Sequence, residues 1–209
     1  MRLKINHLLI LIMIFSALLS LSSCEPGTPR VQDKPQPQAA AQPASTLSEQ
    51  WYNQVLEKRI KAIQNNDYPA FIETDAEYKR EIEQIKRLTQ PTLRNTKTAE
   101  LTNQYKDFFT RIQSRNLATN PPLAQSLFAF EGMSYKILEA KKKTGFGDER
   151  YDVFVECSFA NKDKSPTKLG PRPLKSVVVK FLCVNGYVNT GKGKGVDAEI
   201  LYDKAEYWK

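Results

Sequence analysis

Apolar residues recur along this chain at two different periods, and the change of period divides it. Trp51, Tyr52, Val55, Leu56, Ile60 and Ile63 fall at helical spacing and predict a helix over about 47–64. Thr46-Leu47-Ser48-Glu49 ahead of it fits a capping box, in which hydroxyl and carboxylate satisfy each other's backbone donors. Asn65-Asn66-Asp67 breaks that helix. Asp67 is a good N-cap for a short second one, where Pro69 is tolerated in the first turn and Phe71 and Ile72 face inward. A third helix between Asp75 and Leu88 is polar apart from the stripe Tyr78, Ile82, Ile85 and Leu88, and Pro91 ends it. Its charges read as a solvated face with pairing three and four residues apart. A stronger helix is predicted over about 97–114, where Leu101, Tyr105, Phe108, Phe109 and Ile112 make a wide apolar face. Asn120-Pro121-Pro122 closes the helical half.

Beyond Leu123 the period becomes alternating. Strands are predicted near 127–142, 150–160 and 175–189, with Gly145 and Gly147 in the first turn and a Lys/Pro/Gly-rich loop over 161–174 as the second. Tyr151, Val153, Val155, Cys157 and Phe159 share one face of the middle strand, and Val177, Val179, Phe181 and Cys183 one face of the last. If these two strands form a hairpin, Cys157 faces Val177 and Cys183 faces Tyr151. Six residues of strand then separate the sulfurs by about 20 Å, whereas a disulfide needs Cα atoms within about 7 Å. Two buried thiols are the expectation, and a topology other than a hairpin reopens the disulfide. The last strand is apolar on its other face too, through Val178, Leu182 and Val184, so something covers it. An amphipathic helix over 197–208, through Ile200, Leu201, Ala205 and Trp208, is the preferred cover; a second subunit, giving a homodimer through the sheet face, is the other. The fold class is α+β, with N-terminal helices packed on a curved antiparallel sheet of three or more strands.

Ahead of this domain the pattern is different again. Leu8 to Leu21 is an apolar run preceded by Arg2 and Lys4, long enough for a signal-peptide core and short of a bilayer span. Glu25 to Thr46 is rich in Pro, Gln, Ala and Ser without apolar periodicity, the composition of a tether. The chain therefore divides into a signal peptide (1–23), Cys24 with a disordered tether (24–46) and a single domain (47–209).

Leu21-Ser22-Ser23-Cys24 at the end of the apolar run resembles the lipobox of bacterial lipoproteins. That resemblance implies cleavage before Cys24, diacylglycerol on its sulfur, and a location in the cell envelope, anchored to the membrane. Glu25, and not Asp, follows the Cys, which by the same resemblance favours the outer membrane, facing the periplasm. Loss of Arg2 and Lys4 takes Lys+Arg from 31 to 29 against 23 Asp+Glu, leaving a basic mature chain. The one histidine, His7, lies in the signal peptide. The mature chain thus has no Ser-His-Asp or Cys-His chemistry, no His metal ligand and no histidine pH switch.

The phrase Ile60-Lys61-Ala62-Ile63-Gln64-Asn65-Asn66-Asp67-Tyr68-Pro69-Ala70-Phe71 and the step Val184-Asn185-Gly186-Tyr187 resemble stretches of the nuclear-transport-factor-2-like superfamily over about 47–189. That resemblance implies a cone of helices over a curved sheet. It transfers no catalytic residue, because the superfamily's enzymes often pair an Asp with His or Tyr and no such motif is matched. The helix at 75–88 and the residues after Tyr187 depart from its pattern.

Other chemistry is thin. Gly191-Lys192-Gly193-Lys194-Gly195 lacks the spacing and hydroxyl of a phosphate loop. No Cys, Asp or Glu cluster has metal-ligand spacing, and no cofactor is expected. Lys141, Lys142, Lys143, Lys192 and Lys194 gather at one end of the sheet, with Lys162, Lys164, Lys168, Arg172 and Lys175 at the other. Such a basic rim suits solubility, or anionic lipid and glycan; nucleic acid is a poor fit because no aromatic platform interleaves the lysines. Glu73, Asp75 and Glu77 are either helix caps or an acid–base group. The first functional expectation is a non-catalytic domain binding a small apolar ligand or an envelope protein, its pocket lined by Phe108, Tyr151, Val153, Val155 and Phe181, residues that equally suit a simple core. An interaction module using the rim or sheet face is second, and a histidine-independent hydrolase or isomerase third.

Overall fold

A computed structural model describes residues 50–118, 122–167, 169–170, 172–190 and 198–209. The apolar run, lipobox, tether, capping box and Lys192–Lys194 loop lie outside these described residues.

Four helices come first: α1 (Trp51–Gln64), α2 (Tyr68–Glu73), α3 (Ala76–Lys86) and α4 (Pro91–Gln113). α1 buries Val55, Leu56, Ile60 and Ile63 on one stripe, as its periodicity requires. Asp67 caps α2, its carboxylate accepting from the Ala70 N–H at 3.0 Å, with Pro69 in the first turn. α4 begins earlier than the apolar spacing indicates. Pro91 is its first residue and not merely the end of what precedes it, because a proline at that position lacks only an N–H that has no helical partner.

A 3-10 turn at Ala124–Ala129, wholly buried, leads into β1 (Met133–Lys143). The first strand is therefore shorter at its start than the 127–142 expectation. β2 (Arg150–Phe159), β3 (Leu174–Val184), β4 (Tyr187–Val188) and β5 (Glu199–Tyr207) complete an open antiparallel sheet in the order β1-β2-β3-β4, with β5 also on β3. β2 and β3 pair in the register set by their apolar faces: Cys157 opposite Val177 and Tyr151 opposite Cys183. Both thiols are free and buried.

Within the segment 197–208, expected as a covering helix, Glu199–Tyr207 is instead the strand β5. It lies along the edge of β3, with Ile200 opposite Val179 and Leu201 opposite Val178. β3 is central, bonded to β2 on one edge and to β4 and β5 on the other; on its second face Val178 is buried, and Leu182 and Val184 are half-buried. The helices and the inward faces of the strands share one core, in which Leu56, Ile60 and Phe71 meet Val153, Val179 and Phe181.

Candidate functional site

The five residues expected to line a pocket do not share one environment. Val153, Val155 and Phe181 have no solvent exposure, and Phe181 packs on Phe128 at 5.5 Å between ring centroids. At these positions the space between helices and sheet is filled by side chains. Tyr151 is half-buried at the outer end of β2, in an aromatic cluster with Trp51 (5.8 Å) and Tyr52 (4.8 Å). Its hydroxyl donates to Glu149 Oε1 at 3.1 Å. Phe108 sits on α4 against Phe71 at 6.1 Å.

Open surface lies elsewhere. α3 contains no buried residue at all, and residues 91–97 at the start of α4 are exposed. These two helices form an arm whose inner side holds a cleft of about 620 Å³. Ile85, Leu88, Leu93 and Leu101 supply its apolar floor, while Arg80, Glu81, Lys97 and Glu100 stand around it. Leu93 is 40% exposed. Helical periodicity put Ile85 and Leu88 on one stripe, but only the tertiary arrangement leaves that stripe without a second layer.

The base of this arm is fixed by a buried polar network. Arg59 projects from α1 with no solvent exposure, its guanidinium 3.4 Å from the centroid of the Phe71 ring. Its Nε donates to Gln125 Oε1 at 2.9 Å, Nη1 to the Phe71 carbonyl at 2.8 Å and to Thr74 Oγ1 at 3.1 Å, and Nη2 to Asp75 Oδ2 at 3.2 Å. The other oxygen of Asp75 accepts from the Tyr78 N–H at 2.8 Å, capping α3, and from the Tyr105 hydroxyl at 3.0 Å, reaching α4. The Val188 N–H donates to the Thr74 carbonyl at 2.8 Å, which ties the same corner to β4. One carboxylate thus joins the starts of three connections: α1 to α3, α3 to α4 and, through its neighbour, helix to sheet. Burial and the Asp75 charge push the Tyr105 phenol far above its usual range.

No family model, curated protein or solved structure matches this chain.

Of the acidic trio, Asp75 is the buried cap just described, whereas Glu73 is exposed and paired with Lys58 at 2.6 Å, which lowers its pKa by hydrogen bond and charge. Among the described residues, no group of three or more His, Cys, Asp or Glu side chains is placed to hold a metal, and no helix is long and apolar enough to cross a membrane. The outer sheet face is mixed: Lys141 and Lys204 lie over Phe154 at 5.0 and 5.9 Å, and Lys180 pairs with Glu199 across β3 and β5. The rim lysines are likewise partly neutralised, Lys141 by Glu139, Lys143 by Asp152 and Lys164 by Glu131.

The network escaped sequence reasoning, yet a signal was present. Arg59 falls four residues after Val55 and four before Ile63, on the stripe that α1 buries. A charge at a core position announces a buried partner.

Proposed function

We propose that this chain is a bacterial lipoprotein, held by diacylglycerol on Cys24 to the envelope and to the outer membrane in particular. Its folded domain is a non-catalytic module that docks an envelope protein in the cleft between α3 and α4. The observation that carries the docking reading is that no residue of α3 is fully buried while its apolar stripe floors an open cleft. An arm rigidly rooted through Arg59 and Asp75 but apolar along an open side suits an inserted apolar segment, such as the face of an amphipathic helix. A small apolar ligand between helices and sheet is the lesser reading, because Val153, Val155 and Phe181 already fill that space. Kinship with the nuclear-transport-factor-2-like superfamily remains our proposal for the fold's origin, on the order of helices followed by a meander.

Two measurements test these statements separately. The mass of the chain taken from its own membrane should match residues 24–209 plus the lipid; an unlipidated mass overturns the anchor. A photo-crosslinking amino acid at Leu93 in the full chain should give a discrete adduct with an envelope protein, lost when Ile85→Glu is added. No adduct at Leu93, or one indifferent to Ile85→Glu, overturns the cleft.

A further inference from the structure

The turn between β1 and β2 carries a large apolar side chain into solvent. Phe146, between Gly145 and Gly147, is 51% exposed, more than Leu93 or Leu138. The Arg150 guanidinium lies over its ring at 4.3 Å, held in turn by Asp148 at 2.6 Å. Behind the turn stands the cluster of Trp51, Tyr52 and Tyr151. Of these, Tyr52 and Tyr151 are partly exposed and Trp51 is buried; partly exposed tyrosines favour a membrane–water interface, where one end is apolar and the other wet.

The position of this end matters as much as its composition. Trp51 opens α1, and Gln50 before it is the first described residue on the Cys24 side of the domain. Its indole Nε1 donates to Glu149 Oε2 at 3.2 Å, on the strand-entry side of the same turn. The start of α1 and the exposed Phe146 therefore share one end of the domain.

We infer that the β1–β2 turn is a membrane-contact element, with Phe146 entering the interface of the bilayer that holds Cys24. The inference rests on the anchor proposed above. Over 139–152 the charges of Lys141, Lys142, Lys143 and Arg150 are balanced by Glu139, Asp148, Glu149 and Asp152. The contact is thus apolar and interfacial, and it does not depend on anionic lipid or low salt. One aromatic ring is a weak anchor alone. It becomes sufficient when a lipid already holds the domain at the surface, since tethering raises the effective concentration of the second contact. Docked in this way, the domain presents a fixed orientation to its partners.

Chemical coupling separates this inference from the question of cellular lipidation. Cys157 and Cys183 are buried, so in unlipidated chain 24–209 a maleimide phospholipid couples at Cys24. Coupled protein on phosphatidylcholine vesicles with brominated acyl chains is compared for the wild type, Phe146→Trp and Leu93→Trp, each first shown to keep the wild-type circular dichroism and melting temperature. The expected result is that emission added by Phe146→Trp is quenched and shifted to shorter wavelength, at low and high salt alike, while that added by Leu93→Trp is not. Unquenched emission from Phe146→Trp overturns the inference, as does equal quenching at both positions. Quenching that requires anionic lipid and disappears in salt overturns it as well.

Discussion

Arg59 Nη2 sits 3.2 Å from Asp75 Oδ2 with both side chains fully shielded from water. A pair so placed is costly to desolvate, and its mutual attraction offsets that cost only because every nearby polar group takes part. Here Gln125, Thr74, Tyr105 and two backbone groups do so. The pair is a joint more than a source of stability, since hydrophobic replacements of both partners are often neutral or better.

Arg59→Met should destabilise the domain by about 3–5 kcal/mol, the penalty for leaving a buried charge unpaired. Asp75→Leu alone should do similar damage and also remove the cap of α3. Combined, the two should cost well under the sum of the singles, because no orphaned charge remains. Urea unfolding of the four proteins in a double-mutant cycle checks this, and strict additivity would contradict it.

Alkaline pH should loosen the same region. The Tyr68 phenol is pushed up to about 12, chiefly by burial and secondly by Tyr78, and its hydroxyl donates to the Thr102 carbonyl at 3.2 Å. Tyr105 is raised further in the same direction. In the unfolded chain both ionise near 10. Stability from keeping them neutral is therefore complete below about pH 10 and is lost as pH rises towards the folded value. Phenolate absorbance should show a late group of tyrosines titrating together with loss of helical circular dichroism. Tyr68→Phe should weaken that coupling.

The thiols offer a sharper check on the sheet register. Cys157 and Cys183 face Val177 and Tyr151, on opposite ends of the β2–β3 pair, too far apart for a disulfide. Burial pushes the Cys183 thiol up to about 12 and raises Cys157 as well, leaving little thiolate at neutral pH. With Cys24 blocked, the folded protein should take up no thiol reagent, and two equivalents once denatured, with or without prior oxidation. A disulfide recovered from native protein would mean the register is wrong.

Where burial falls on one face, the sequence was easy to read. Val153, Val155 and Cys157 alternate with Phe154 and Glu156, so the buried face was legible from pattern; the β2–β3 register followed only once a hairpin across 161–174 was assumed. Asp67 was legible as a cap, and a cap was one of the two readings open for Asp75, because local hydrogen bonds decide those positions. Non-local relationships were hidden. Nothing in the spacing of Arg59, Asp75, Tyr105 and Gln125 says they converge. The cleft was invisible for a related reason: an apolar stripe shows that a helix face wants cover, not whether its own chain provides it.

The C-terminal segment shows the same limit and yields the last prediction. Ile200, Leu201, Ala205 and Trp208 fit a helical spacing, yet the free edge of β3 offers backbone groups that a helix would leave unpaired. Pairing wins, with Tyr207 opposite Leu174 and the Tyr207 hydroxyl donating to the Leu169 carbonyl at 3.3 Å. A chain ending at Asn189 should thus lose more than an ornament. It would bare the apolar edge of β3 and uncover Val178 and Val179, now beside Leu201 and Ile200. An unpaired apolar edge of this kind recruits other strands. Light scattering should show the truncated protein associating, whereas Ile200→Asp in the full chain, which keeps the strand but places a charge at a buried position, should lower the melting temperature with the edge still largely covered. A truncated protein that stays monomeric and melts like the wild type would mean that β5 contributes little to the sheet.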